Sequence, residues 1–410
     1  MKNVIQFICM SLGIFVLMGA GDASSQDWPQ WRGSNRDGKA AGFISLQEWP
    51  TELKQVWKTT VGFGDASPSL VGDKLYIFSR LGDEEMLLCL DANSGEEIWR
   101  DVYKAGEVTG AARSHPGPRS TPTVAGDKIV ALGVCGVLSC WDASSKKLLW
   151  RKDPFPNVVP RFFTSMSPIV VDGMAIAHLG GAGNGALIAY DLTTGEEKWR
   201  WSEEGPDYAS PVLMTVEGVR QIVTLTEKSV VGIGADNGKL LWKIPFEPQR
   251  RAYNSATPII DGQKVIYTGS GRGASAVRIE KQGDDFSVQP IWSNPELAPQ
   301  FNTPVLKDGF LFGITDNNRF YCINALNGET AWADSNTNGR GGFGSIIDVG
   351  SNLLALLSNA DLSAYKPNTE KFEELSRIKV AETETYAHPI VSGKRIFIKD
   401  AETVTLFSLD

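Results

Sequence analysis

The sequence predicts an all-β fold: an eight-bladed β-propeller of four-stranded antiparallel blades, with the ring closed by the N-terminal strand. Three observations lead there. One unit of short apolar runs recurs along the chain, tight-turn dipeptides separate those runs, and the fragments at the two ends complement each other.

The unit begins with a Ser/Thr-Pro step and passes through an apolar run, a Gly-containing turn and two further apolar runs to a Trp. SPSLVGDKLYIF leads to DANSGEEIW at Trp99, STPTVAGDKIVAL to DASSKKLLW at Trp150, and MSPIVVDGMAIAHL to DLTTGEEKW at Trp199. Later copies end at Trp242, Trp292 and Trp332, and a weaker one ends near Leu375, where Leu stands for Trp. Pro at the first position of a strand costs no ladder bond that matters. Gly72-Asp73, Gly126-Asp127, Asp261-Gly262 and Asp308-Gly309 are the residue types of tight hairpins. A four-stranded sheet of this kind cannot bury both faces alone, but a ring of such sheets can.

The chain ends set the number of blades. The last unit, HPIVSGKRIFIKDAETVTLFSLD, holds three strands and runs to Asp410. The missing fourth strand is expected in ELKQVWK around Trp57, giving the series Trp57, Trp99, Trp150, Trp199, Trp242, Trp292 and Trp332, with Leu375 as the eighth member. These Trp residues are expected to dock neighbouring blades, because large rings at a fixed repeat position bury much apolar area between sheets.

The turn pattern Ala-x-Asp-x-x-Thr-Gly-Lys/Glu-x-x-Trp, matched almost fully by AYDLTTGEEKW at 189–199, resembles the repeat of the PQQ-like propeller family. That family includes quinoprotein dehydrogenases and outer-membrane assembly propellers, and the resemblance spans residues 51–410. The opening DWPQWRG, within an expected extension over 24–50, is similar to that of exported proteins of this type. The glycines at 95, 195, 238 and 328 read as turn residues, and Lys146 at the same place in the second blade predicts a looser turn.

The first residues, MKNVIQFICMSLGIFVLMGAGDASSQ, read as a secretory signal over 1–23: Lys2, then an apolar run, then small residues. The run is short of the ~20 residues needed to span a bilayer, and Cys9 lies inside it rather than in a lipobox. A soluble, monomeric, periplasmic or secreted protein is expected. Its formal net charge of −8 and the lack of a Lys/Arg run argue against nucleic acid as a partner. Cys89, Cys140 and Cys322 fall at equivalent places in different blades and read as buried thiols, while a Cys135–Cys140 bridge stays open. His115, His178 and His388 do not cluster, so no metal site is expected, and His178 reads as a core residue.

Residues just before each innermost strand must approach one mouth of the central channel. They are Asp65, Arg119, Ser165, Asp207 with Tyr208, Asn254, Asn302, Phe343, and Tyr386 with His388; the long loop AGEVTGAARSHPGPR adds Arg113 and His115. Converging polar groups at a concave mouth make a default ligand site. The leading expectation is a non-catalytic scaffold, without cofactor, that binds an extracytoplasmic protein or polymer. The resemblance also implies an alternative, a PQQ- and calcium-dependent alcohol or polyvinyl-alcohol dehydrogenase. Arg119 would then meet the quinone carboxylates, Asn254 and Asn302 the calcium, and Asp65 or Asp207 would act as base. The adjacent cysteine pair of those enzymes is missing from this chain.

Intact-mass measurement of secreted protein should find a chain beginning near Ser24 and lacking Cys9; retention of Met1 or a lipid-modified Cys would overturn the signal reading.

Overall fold

In seven of the eight blades a bulge lets one large ring lie across the sheet, and that bulge sets how the blades meet. The computed structural model describes residues 27–43, 46, 48–249 and 251–409, so the stretch read as a signal lies outside the described residues. Its sheets are eight antiparallel, four-stranded blades. Blades 1 to 7 span 69–104, 123–152, 169–201, 212–245, 259–294, 305–333 and 344–379, and blade 8 spans 390–408 plus Lys54–Thr60. The N-terminal strand pairs with Thr403–Ser408, placing Trp57 opposite Leu406, so the ring closes as expected.

Between the third and outer strands of every blade the register shifts by one residue. Such a bulge bends the strand and re-aims a side chain. Opposite six of the seven Trp residues stands a small residue, Cys89, Cys140, Ala189, Gly232, Ala276 or Cys322, whereas Trp57 faces Leu406. The reason is space, since a Cβ on Gly232 would come within 2.2 Å of the Trp242 ring. The cysteines therefore serve as small side chains. All four described ones, Cys135 included, are free thiols.

The indoles couple one blade to the next. The N–H groups of Trp57, Trp150, Trp199, Trp292 and Trp332 donate to the carbonyls of Ala92, Leu192, Ala235, Ala325 and Asn368 at 2.8–3.1 Å, each in the outer turn of the following blade. The turn itself is shaped by its Asp; Asp91 Oδ1, for example, accepts the N–H groups of Asn93 and Ser94. Gly95 then adopts φ +73° and lies so close to Trp57 that an added Cβ would meet the ring at 2.6 Å. Lys146 holds the same left-handed backbone, at φ +61°. Asp142 Oδ1 accepts Ser144 Oγ and Ser145 N–H there, offsetting the roughly 1 kcal/mol that a non-glycine residue costs in this region. Trp99 lies beside Cys89 of its own blade, and Trp242 departs from the coupling as well. Blade 5 replaces the short turn with a long hairpin, and the indole turns back to Gln221 of its own blade.

Leu375 is not the eighth docking residue. The register places Ser376 opposite Ala364, and Leu375 is exposed. Blade 8 has no turn at this place to receive an indole, because its outer strand comes from the other end of the chain. Ser376 Oγ instead donates to the carbonyl of Pro50, and Trp49 and Phe43 stack and pack on the core shared by blades 7, 8 and 1. A buried ammonium staples the same seam: Lys399 Nζ donates to the carbonyls of Gly62, Gly64, Asp400 and Ala401, and burial lowers its pKa to about 8.

The DWPQWRG segment lies inside the propeller's channel. Trp28 exchanges backbone hydrogen bonds with Leu70 and is 1% exposed, and Pro29 accepts the N–H of Val124. Arg32 donates to the carbonyls of Thr303 and Pro304, Arg36 to those of Ser167 and Pro168, and Gly38 and Ala40 bond to Asp348. The segment thus touches blades on all sides and plugs the end where the first hairpin turns lie. The Ser/Thr-Pro steps form a second ring around it. Ser167, Ser210, Thr303 and Ser67 each accept, through the hydroxyl, the N–H of the equivalent residue in the preceding blade.

Gly95→Ala should be markedly less stable than Gly72→Ala. Both glycines have positive φ, but only Gly95 lacks room for a methyl group, which adds on the order of 1–3 kcal/mol of overpacking. Trp57→Ala should cost about 3–5 kcal/mol. Denaturant unfolding with equal losses for the two Gly variants would count against the docking geometry.

Candidate functional site

Opposite the plug, the segments that enter the innermost strands place one aromatic ring after another around the channel mouth. Phe162 and Tyr208 meet Tyr253 at centroid distances of 5.3 and 5.6 Å. Tyr253 stacks toward Phe301 at 6.3 Å, Phe301 lies against Phe343 at 4.4 Å, and Phe343 meets Tyr386 edge-on at 5.0 Å. His115 takes the next place, 5.0 Å from Tyr386. Arg119 closes the circle by donating to the carbonyls of Phe162 and His115. All these rings are partly exposed. The result is a collar of seven rings and one guanidinium.

The loop after blade 1 is what brings His115 into this collar. Val108 and Ala112 bury their side chains with Val134 and Phe163, anchoring the loop over blade 2. His115 Nδ1 then lies 3.0 Å from Asp65 Oδ2, and Arg119 Nε lies 4.0 Å from the same oxygen. The hydrogen bond to Asp65 raises the His115 pKa, and burial lowers that of Arg119. Asp207, beside Tyr208, is pushed up to about 7 by burial although it accepts the Asn254 N–H at 2.6 Å. Arg113 is exposed on the rim.

Asp65, His115, Arg119, Tyr208 and Tyr386 therefore come together as nominated, with Phe343 among them, Ser165 touching the Tyr208 carbonyl and Asp207 at the collar's base. Three nominated residues do not line the mouth. The Asn254 amide donates to the carbonyls of Thr226 and Phe246, and its oxygen accepts Arg272. The Asn302 amide donates to Ile314 and Gly342, and both asparagines are buried. His388 is buried as well, its ring 4.4 Å from that of Trp31 in the plug. A side-chain amide brings together backbone groups that a strand entrance leaves unpaired, which is why Asn recurs there.

The donor set does not fit the calcium–quinone arrangement. Both asparagines nominated as calcium ligands are turned into the blades, and among the described residues no three His, Cys, Asp or Glu side chains gather to hold a metal. Phe162, Tyr253 and Phe301 were missed. Their signal is an aromatic residue three to six positions before the Pro, or its equivalent, of the innermost strand in six successive units.

A family model described as outer membrane protein assembly factor BamB matches residues 82–334. The assembly factor BamB of Moranella endobia is 22% identical over 309 residues, covering 69% of this chain and 72% of that one. That of Shewanella oneidensis is 23% identical over 262 residues, and the alignment spans only 60% of either chain. A europium-containing methanol dehydrogenase superposes with a TM-score of 0.70 at 14% identity, covering 93% of this chain and 91% of the enzyme. At that identity the superposition speaks for the fold alone.

The three histidines should titrate apart by NMR. His115 should titrate above 6.5, His178 near 4 and His388 well below 6.5, the last two because burial disfavours the charged ring. His115 stabilises the fold fully below about pH 6.5, and this is lost as pH rises through its raised folded pKa. His178 acts in the opposite sense: its neutral form is favoured, so stability falls as pH drops from about 6.5 toward 4. A His115 pKa at or below 6.5 would contradict the Asp65 pairing.

Proposed function

Because the chain belongs to the PQQ-like propeller family whose model is described as outer membrane protein assembly factor BamB, we propose that it is an exported, non-catalytic scaffold. It acts as a monomer in the periplasm or outside the cell, after removal of residues 1–23, and carries no cofactor. Its partner is a protein of envelope assembly, held by the collar face. One observation carries this reading. The plug fills one end of the channel with the chain's own residues, leaving the aromatic collar as the concave face that is open. Rigid scaffolds concentrate function on such loop faces, and aromatic and Arg side chains are the types enriched where proteins dock.

The quinoprotein alternative needs oxygen ligands for calcium and a base beside the alcohol. Asp65 and Asp207 remain near the mouth, but Asn254 and Asn302 are buried away from it, and the Asn254 oxygen already accepts Arg272. The scaffold reading is therefore preferred.

Two measurements test it. Mature protein given PQQ and calcium should not oxidise alcohols with an artificial electron acceptor; turnover that collapses in Asp65→Ala or Asp207→Ala would overturn the proposal. In cells, a photoreactive side chain at exposed Ser114 should yield an adduct with an envelope-assembly protein, and the same group placed at exposed Glu217, in the first hairpin turn of blade 4, should not.

A further inference from the structure

The charge at the collar differs from that of the whole chain, which carries a formal −8. Arg113, Arg161, Arg251 and Arg340 stand on the collar loops, are exposed, and among the described residues have no carboxylate within ion-pair distance. Each sits beside a collar ring: Arg161 lies 5.6 Å from the Phe162 centroid, Arg113 and Arg251 are two residues before His115 and Tyr253, and the Arg340 carbonyl accepts the Phe343 N–H. The carboxylates innermost at the collar are engaged, while Glu107 and Glu382 are exposed on the same loops. Asp65 faces His115 and Arg119, Glu384 accepts the Tyr386 hydroxyl, and Asp207 is pushed up to about 7.

The channel behind the collar adds positive charge of its own. Arg32 and Arg36 are buried there with carbonyls as hydrogen-bond partners. Carbonyl oxygens accept from the terminal guanidinium nitrogens but leave the net charge in place. Low-dielectric walls focus such a field toward the opening. Screening over ~8–10 Å at ordinary salt makes this local charge, rather than the distant acidic surface, what a ligand meets.

We propose that the collar is a docking site for an acidic polypeptide segment bearing an aromatic side chain. The segment's carboxylates pair with the free guanidiniums, and its ring adds to the collar by edge-to-face contact. This rests on the scaffold reading and specifies the partner's chemistry. A polypeptide is favoured over an acidic polysaccharide by the ring geometry: Phe301 and Phe343 spend their faces on each other. The rings left open are met edge-on, at 80° for Phe343–Tyr386 and 84° for His115–Tyr386. Such a collar accepts another aromatic ring more readily than the flat face of a sugar.

The test is fluorescence anisotropy on the mature chain with three labelled probes: a short peptide alternating Glu and Tyr, its Lys–Tyr counterpart, and an oligogalacturonate of equal charge. The Glu–Tyr peptide should bind, and the other two should bind at least tenfold more weakly. Combined Arg113→Gln, Arg161→Gln, Arg251→Gln and Arg340→Gln should weaken it on the order of tenfold, mainly by slower association, and flatten its salt dependence. Phe343→Leu should instead speed dissociation, with folding of both variants confirmed by thermal melting. Equal binding of oligogalacturonate or of the Lys–Tyr peptide, or unchanged binding by the Arg variant, would overturn this proposal. Quinone-dependent turnover overturns the scaffold reading alone; an assembly-protein adduct at Ser114 without Glu–Tyr binding overturns this inference alone.

Discussion

An indole laid across the neighbouring blade is the contact on which the ring depends. Its ring covers the next blade's outer turn, at five Trp residues its N–H finds a carbonyl of that turn, and four of the turns carry glycine where the ring lies. Three features of the repeat follow from this one contact. The bulge aims the indole, the small residue opposite makes room for it, and the left-handed position in the turn keeps the neighbour's backbone close. Where the next blade lacks the turn, the interblade bond disappears, as at Trp242.

The seam shows what happens when the contact cannot form. Blade 8 is built from both ends of the chain and has no turn for blade 7 to cover, so a Trp at position 376 would have no acceptor. Ser376, Pro50 and Trp49 fill that place, and the Lys399 ammonium ties four carbonyls at the same junction. The stabilising groups there are polar and local, in contrast to the aromatic docking elsewhere. Closure therefore draws on the segment before the first strand as well as on the strand itself.

That segment also makes the two channel ends unlike. Arg32 and Arg36 reach blades on opposite sides of the channel and brace the ring from within. With one end plugged, the collar becomes the face whose rings and guanidiniums are free to meet a partner. The likeness to both assembly factors and a methanol dehydrogenase is intelligible on these terms. The docking contact belongs to the blades, whereas the collar belongs to the loops.

Blade number, strand order and closure were legible because each follows from a pattern repeated at fixed spacing: the Ser/Thr-Pro step, the tight turn and the Trp. A repeated constraint can be read by comparing copies. The small residues opposite the Trp could be located in this way, although the steric reason for Cys89, Cys140 and Cys322 needed the register. Part of the collar was legible too, since Asp65, His115, Arg119, Tyr208 and Tyr386 all precede innermost strands. What spacing alone could not give was direction. Asn254, Asn302 and His388 occupy the same stretch of the repeat, yet turn inward to unpaired carbonyls or to Trp31. Only the tertiary structure decided that the DWPQWRG segment fills the channel, because its partners come from blades hundreds of residues apart and no local pattern encodes them.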